Sequence, residues 1–411
     1  MDDSQHKQRV KAIALLSGGL DSTLAIKLML SQGVDVVAVN FVSPFCTCSP
    51  RREGSCHLAS AIARELKVPI RVLSKGMDYL RIIERPRFGH GRGLNPCLDC
   101  RIYMLKQAAS LMETEQAQFI VTGEVLGQRP MSQHRAALDL IERESGLMGR
   151  ILRPLSAQWL PPTIPEQNGW VDRAKLMAIR GRSRSEQLAL AKQEGVELFG
   201  CAAGGCLLTD PVVARRLKDV FCFCPDYDLR DAKLATFGRH FRLHSGLKAV
   251  MGRNQEENER LARLGTDWPV LELADFPGPV MVLRGTILDG DRVPLGRLLH
   301  RYAPKVTADP VTVRRAWGDQ REQWVVSASS LPAPRMSSAY VLLPCQDTVM
   351  IRWQMNVLFL DQKPRLFNPS AAILGARAHR HGRTTWRLVI VIPVDGPDIS
   401  ARQQNPVRLA Q

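Results

Sequence analysis

No run of about 18 consecutive apolar residues occurs in this 411-residue chain, so a helical membrane span is not expected. Residues 1–11 are polar and charged and hold no apolar h-region, so cleavable targeting is not expected either and a cytoplasmic location is. There is no internal repeat, which argues against a solenoid or a bladed array. Acid is in short supply: 40 Asp and Glu face 56 Lys and Arg, for a formal net charge of +16 and a pI near 9.7. Such a surface suits a polyanionic partner, and nucleic acid is the commonest one. The remainder is ordinary. Hydrophobic residues make up 45%, enough for a substantial core, and the length suits two or three domains.

What is present is concentrated near the start. An apolar strand, Ala14-Leu15-Leu16, runs into Ser17-Gly18-Gly19-Leu20-Asp21-Ser22 and then into a helical pattern, Thr23–Leu30. Strand, glycine turn and helix start make an anion site. Glycine lets the backbone approach a phosphate, and the free amides and dipole of the helix favour its charge. Ser17 and Ser22 add hydroxyls. Asp21 fits if Mg2+ rides with the phosphates, because a hard cation takes carboxylate oxygen. The turn lacks the Gly-Lys-Ser/Thr of a Walker A loop and the spacing of a dinucleotide fingerprint.

Residues 11–160 alternate strand and helix signals. Ile13–Leu16, Val34–Phe41, Ile70–Leu73 and Phe119–Thr122 read as strands, and Leu58–Leu66 and Ile102–Glu113 as helices. This rhythm predicts an α/β, doubly wound parallel sheet. Ligands in such sheets bind beyond the carboxyl ends of the strands. The glycine turn, Asn40-Phe41 and Gly123-Glu124 should therefore face one cleft. Glu124 and Gln128 either orient nucleotide or base or cap a helix; Arg129 and Arg153 either contact phosphate near the cleft mouth or are solvated. Residues 154–172 read as a linker or lid, Arg173–Gly195 as a basic helical stretch, and 230–330 as a second unit with strands such as Val280–Leu283 and Trp324–Ser327. Beyond 335 only Tyr340–Leu343 and Arg387–Ile392 read as strands.

The ten cysteines are clustered, and with no signal peptide they read as thiols of a reducing compartment. Cys97 and Cys100 stand in Asn95-Pro96-Cys97-Leu98-Asp99-Cys100, just before a helix. A thiol near a helix N-terminus should have a lowered pKa, further lowered by Arg101 and Lys106. Thiolates serve sulfur transfer through persulfides, and equally a metal or an Fe–S cluster. Cys46, Cys48 and Cys56 either complete a zinc site with Cys97 or Cys100 or are accessory; Cys222 and Cys224 read as buried apolar residues; His57, His90 and His134 read as surface or packed histidines rather than proton carriers.

In order, Ser17–Ser22, Asn95–Cys100, Gly123–Gln128 and Cys206 resemble the motifs of the PP-loop ATP pyrophosphatases of the tRNA thiouridine synthase type, both 2-thiouridylases and 4-thiouridine synthetase-like enzymes. The resemblance covers about 11–220. It implies a HUP-like nucleotide-hydrolase fold and ATP-dependent RNA thiolation. Ser17, Gly18, Gly19, Asp21, Ser22, Phe41 and Gly123 would hold ATP, with Asp21 on Mg2+. The family's catalytic Cys falls on Cys100 and its second on Cys206; its Asp falls on Cys97, a departure. Cys97, Cys100 and Cys206 also resemble a three-cysteine [4Fe–4S] arrangement. The partners implied are tRNA or another RNA, and a sulfur donor such as a cysteine desulfurase or relay protein. Gly252–Leu261 resembles the signature of the NFACT RNA-binding domain, which implies a smaller C-terminal α+β module; otherwise the stretch is a polar helix with a glycine N-cap. The expected division is 1–160 for the ATP domain, 161–225 for a linker, basic helix and second cysteine, 230–334 for the RNA module and 335–411 for an extension. Three other readings fit the same residues: a PP-loop ligase or amidotransferase on a non-sulfur substrate, an RNA-binding adaptor with a vestigial ATP site, and desulfidation of a thiolated base.

Overall fold

The computed structural model describes residues 10–46, 57–200 (His57 in backbone only), 205–243 and 245–327, together with the backbone of 351–353, 356–358, 372–380 and 383–391. Cys48, Cys56, Cys201, Gly204, Cys345 and the run Tyr340–Leu343 lie outside the described residues. The chain divides into two compact units, 1–343 and 344–411.

The first part of the larger unit runs β1 (Lys11–Leu15), α1 (Leu20–Leu30), β2 (Asp35–Val42), α2 (His57–Glu65), β3 (Ile70–Ser74), α3 (Met77–Glu84), α4 (Cys97–Glu115), β4 (Phe119–Thr122), α5 (Arg135–Ser145) and β5 (Ile151–Leu152). The strands form one parallel sheet in the order β3-β2-β1-β4-β5. The expected doubly wound architecture is therefore the one observed. Its central strand is apolar throughout because it is covered on both faces. Ala12, Ala14 and Leu16 pack with residues of α1 and α2, whereas Ile13 and Leu15 pack with Ile102, Leu105 and Ala108 of α4 and Ile141 of α5.

The segment that follows holds α6 (Ile164–Gln167) and α7 (Ser185–Gln193). The basic stretch 173–195 is thus α-helical only over Ser185–Gln193, after a single 3-10 turn at Arg173–Lys175. Residues 177–181 instead run along a neighbouring segment, donating from Met177 to Pro154, from Ile179 to Leu155 and from Gly181 to Leu126. Backbone groups that find partners on a neighbouring segment have no need of a helix. Next come α8 (Pro211–Phe223), whose Asp210 N-cap accepts from Val212 and Val213, and α9 (Leu229–Leu234).

The remainder of this unit is an α+β module. β6 (Arg239–Arg242), β7 (Lys248–Met251), α10 (Gln255–Leu264), β8 (Val270–Leu273), β9 (Met281–Arg284), α11 (Arg292–Arg301), β10 (Val311–Trp317) and β11 (Gln320–Val326) build a six-stranded antiparallel sheet, order β11-β10-β8-β9-β7-β6. Leu295, Leu298 and Leu299 of α11 cover one face; Leu261 and Leu264 of α10 pack with Val250 and Val282 of the other. The Gly252–Leu261 signature is structural here. Asn254, not a glycine, caps α10 by accepting from Glu257. Asn258 accepts from Val280 and donates to Gly278, and a Cβ at Gly252 would come within 2.1 Å of its side-chain oxygen. Asp219 of α8 lies fully buried between Arg242 and Lys248 of this sheet. These cations hold the Asp219 carboxyl below its ordinary range even though burial pushes it up. Breaking a buried pair of this kind costs about 3–5 kcal/mol, so α8 is firmly joined to the module.

In the smaller unit, β12 (Ile351–Trp353) pairs antiparallel with β13 (Asn356–Leu358), and β14 (Ala372–Arg380) with β15 (Arg383–Val391). The run 387–392 lies almost wholly within β15. Among the described residues no helix is long and apolar enough to cross a membrane.

Candidate active site

Every strand of the parallel sheet ends at the same edge, so the segments leaving β1, β2, β3 and β4 meet there. Two clusters form, one at the ends of β1 and β4, the other at the ends of β2 and β3.

At the first, Leu16 donates to Val39 and accepts from the buried Asn40 amide at 2.7 Å, which braces the strand where the turn begins. Gly18 takes φ +81°, a left-handed conformation that costs glycine little. Ser22 Oγ donates to the Gly19 carbonyl at 2.9 Å and accepts from the Ser17 amide at 3.3 Å; Ser17 Oγ accepts from Gly19 N at 3.3 Å. No side chain caps α1 at Gly19. Gly123, at the end of β4, lies against this loop: a Cβ there would come within 2.4 Å of Ser22 N and 2.5 Å of the Asp21 carbonyl carbon. Gly200 N donates to Gly18 O at 2.8 Å and closes the other side. The structure thus brings Ser17, Gly18, Gly19, Asp21, Ser22 and Gly123 together. Phe41, near the end of β2, packs with Leu73 and the α4-side core.

Asp21 accepts from Gln128 Nε2 at 3.1 Å on one oxygen, while its other oxygen, Oδ1, is buried without a hydrogen-bond partner. A buried carboxylate oxygen without a donor is costly unless something positive fills the place, and a divalent cation fits it. Gln128 is therefore a partner of Asp21. Glu124 is fully buried and paired with Arg153 at 3.1 Å and Arg101 at 3.4 Å. Burial pushes its carboxyl up, but the two guanidiniums bring it below the ordinary range. Arg153 is 3% exposed and also holds Glu142, so it is neither a cleft-mouth phosphate contact nor solvated; Arg129 is exposed. The network ties α4, β4 and α5 into one frame.

At the second cluster, α4 begins five residues before the expected Ile102, so Cys97 and Cys100 stand in its first turn behind the Pro96 N-cap. Asp99 accepts the amides of Arg87 at 2.9 Å and Phe88 at 3.1 Å and fixes the preceding loop. Lys75, immediately after β3 and 9% exposed, donates to Cys100 Sγ at 3.0 Å and lies 4.4 Å from the Tyr79 ring centroid. Tyr79 donates to the same sulfur at 3.4 Å. The ammonium is placed to hold negative charge that forms on that sulfur. Cys206 comes from far along the chain. Its neighbour Leu207 donates to Phe45 O at 2.9 Å, and Leu94 donates to Leu208 O at 2.9 Å. A Cβ at Gly93 would meet Leu208 O at 2.4 Å, so the three loops close tightly on one another. Tyr79, its hydroxyl raised chiefly by burial, feels Cys100, Cys206 and Cys46 together.

Cys46, Cys97, Cys100, Cys206 and Cys224 are reduced. Burial pushes the Cys97 thiol up, and Cys100 adds to this; Asn95, Arg101 and Arg129 offset it only in part. The lowered Cys97 expected from the helix start is therefore corrected: desolvation outweighs the nearby cations. Burial likewise raises Cys206 to about 11, against a backbone hydrogen bond from Leu208 and the charge of Lys75. Among the described residues no three His, Cys, Asp or Glu side chains stand close enough to hold a metal ion. Cys224 is buried as expected, but Cys222 is only half-buried and disulfide-bonded. His134 caps α5 by accepting from Ala137, and His90 Nε2 is paired with the Ile83 carbonyl at 2.7 Å.

Lys75 and Tyr79 were not legible as site residues. The available signal was position: a lysine directly after a strand of a parallel sheet lies at the ligand edge.

Residues 8–158 match the family model described as thiamine biosynthesis protein (ThiI), and 238–341 that of the NFACT protein RNA binding domain. A probable tRNA sulfurtransferase of Methanothermobacter thermautotrophicus is 34% identical over 118 residues, covering 29% of this chain and 30% of that protein. A tRNA-specific 2-thiouridylase of Leptospira biflexa is 30% identical over 112 residues, covering 24% and 29%. A solved 4-thiouridine synthetase–RNA complex with bound ATP is 26% identical, with a TM-score of 0.32, over 45% of this chain and 41% of that one. The chain spans about a third of the length of the curated relatives it matches. The glycine loop, the Asn95–Cys100 segment and the second module thus fall in stretches with known counterparts: residues 8–158 are similar to the thiamine biosynthesis protein (ThiI) family, and 238–341 to the NFACT protein RNA binding domain.

Proposed function

We propose that this protein thiolates RNA, tRNA in the first instance, at the expense of ATP. The observation that carries the reading is one sheet edge that holds both an anion loop and a cluster of thiols. The triphosphate lies on Ser17–Ser22 and the open start of α1. Asp21, with its unpartnered Oδ1, would hold a Mg2+ beside the phosphates, and the cation would supply positive charge to the departing pyrophosphate. A uridine carbonyl oxygen attacks the α-phosphorus and the bond to pyrophosphate breaks. The base is then adenylated, and AMP is a far better leaving group than the original oxygen. The terminal sulfur of a cysteine persulfide attacks the activated carbon and AMP departs with the oxygen. Lys75, beside Cys100 and acting on Cys206, holds negative charge on these sulfurs. The base must leave its stack to reach the edge, and the basic α+β module grips the RNA through phosphate and shape.

The persulfide route is preferred to a [4Fe–4S] cluster on Cys97, Cys100 and Cys206. Cys97 shares an electrostatic neighbourhood with Cys100, whereas Cys206 shares one with Cys100 and Cys46. Among the described residues these side chains do not form a ready ligand triad.

The test supplies purified protein with Mg-ATP, unmodified tRNA and a cysteine desulfurase charged with cysteine. AMP and pyrophosphate should form only when RNA is present, and the digested RNA should contain a thiolated nucleoside. RNA-independent turnover or an unthiolated product overturns the reading. Iron and acid-labile sulfide counted on anaerobically purified wild type and Cys206→Ala check the choice of route: about four irons lost in the variant would replace the persulfide by a cluster.

A further inference from the structure

The feature that the proposed reaction leaves unused is Cys46. It sits four residues beyond β2, and its backbone forms an isolated antiparallel bridge with Cys206. The hydrogen bond beside this bridge runs from Leu207 N to Phe45 O, and the Cys46 amide is turned to Ser43 O. In an antiparallel pair, bonds that flank two opposed residues rather than join them mark the closer, non-hydrogen-bonded kind, with Cα atoms about 4.5 Å apart and side chains on the same face. A disulfide spans Cα atoms about 4.4–6.8 Å apart. Cys46 and Cys206 are thus opposed in the kind of pair whose usual separation a disulfide accepts. Both are half-buried. Cys100, another thiol of the cluster, is held by Lys75 and Tyr79.

We propose that Cys46 is the resolving thiol for Cys206. The assignment of roles rests on the sulfur-transfer reading above; the pairing itself rests on the backbone bridge alone. Once the terminal sulfur of a Cys206 persulfide has displaced AMP, base and enzyme are joined as Cys206–S–S–base. The Cys46 thiolate attacks Cys206 Sγ and forms the Cys46–Cys206 bond. The bond to the base sulfur breaks, and that sulfur leaves with the electron pair as the thiolated product. A dithiol reductant then delivers two electrons and two protons and restores both thiols.

The decisive experiment oxidises the full-length reduced protein with one equivalent of diamide, blocks remaining thiols, and maps disulfides by mass spectrometry without reduction. The expected dominant new crosslink joins the Cys46 and Cys206 peptides. A Cys100–Cys206 crosslink in its place overturns the proposal, whatever reaction the protein performs. In the thiolation assay, Cys46→Ser should trap RNA on Cys206 as an adduct that external dithiothreitol releases, with turnover down at least about tenfold without it. Cys46→Ala, with its melting temperature compared with wild type, separates this from misfolding: both variants must melt with wild type and both must trap. If the Cys46–Cys206 crosslink forms and no RNA is thiolated by wild type, the pairing holds and the thiolation reading fails. Release of product by both variants at the wild-type rate without added reductant overturns the resolving role.

Discussion

The nucleotide loop and the thiol centre share one edge of one sheet, yet they are built in opposite ways. The loop is local. Ser17–Ser22 bond to one another within a single turn, and distant glycines, Gly123 and Gly200, only close it from either side. The thiol centre has no local element of its own. Cys46, Cys100 and Cys206 arrive from three separated segments, and what unites them is the closure of the loops 43–46, 91–96 and 205–209 on one another. The difference teaches where each half is vulnerable. The loop fails by steric intrusion, and the thiol centre by loss of the charge and burial that set its sulfurs.

The strongest blow to the loop is Gly123→Ala. Its methyl would meet the backbone of Asp21 and Ser22, which cannot yield as a flexible side chain can. Overpacking costs about 1–3 kcal/mol, so nucleotide affinity should drop by up to about 100-fold in equilibrium titration, with cysteine labelling rates little changed. Wild-type affinity in this variant would refute the close approach on which the loop depends.

The thiol centre should respond to pH where the loop does not. Burial keeps Cys206 protonated at neutral pH, its thiol standing near 11. Iodoacetamide labelling of Cys206, followed by mass spectrometry, should therefore rise about tenfold per pH unit between about 7 and 10. A plateau above about pH 9 would mean an exposed, ordinary thiol. The linkage has the matching sign. A folded-state value raised above the unfolded one favours the native chain below the ordinary thiol range, and that contribution is lost as pH rises through about 11.

The smallest effect sharpens the comparison further. Lys75 is one of two influences that pull Cys206 down against burial. Lys75→Met should slow Cys206 labelling at pH 8 by about threefold while nucleotide affinity stays put. Equal labelling in both proteins would detach Lys75 from the sulfur chemistry.

How much of this could be read from sequence follows the same division. The glycine loop was legible because its residues are neighbours in the chain, and the parallel sheet because fully buried strands read as apolar runs separated by helical patterns. The start of α4 was misplaced by five residues, which hid the fact that Cys97 and Cys100 lie inside its first turn. The basic stretch 173–195 carries helix-forming residues, but partners offered by Pro154, Leu155 and Leu126 hold its middle along a neighbouring segment. Arg153 read as a cleft residue because sequence shows charge and not burial; Glu124 and Glu142 take it into the interior.

Sequence by itself determined the βαβ rhythm, the glycine loop with its Asp21, and the Cys97–Cys100 spacing, because periodicity and short-range turn chemistry are written in contiguous residues. Tertiary structure alone decided which thiols meet, that Cys46 opposes Cys206 and that Lys75 reaches Cys100. It alone decided that desolvation raises Cys97, where a helix start and nearby cations argued for lowering, and that it raises Cys206 as well. The physical reason is that burial and long-range pairing are properties of the packed chain, and they outweigh the local signals from which a sequence is read.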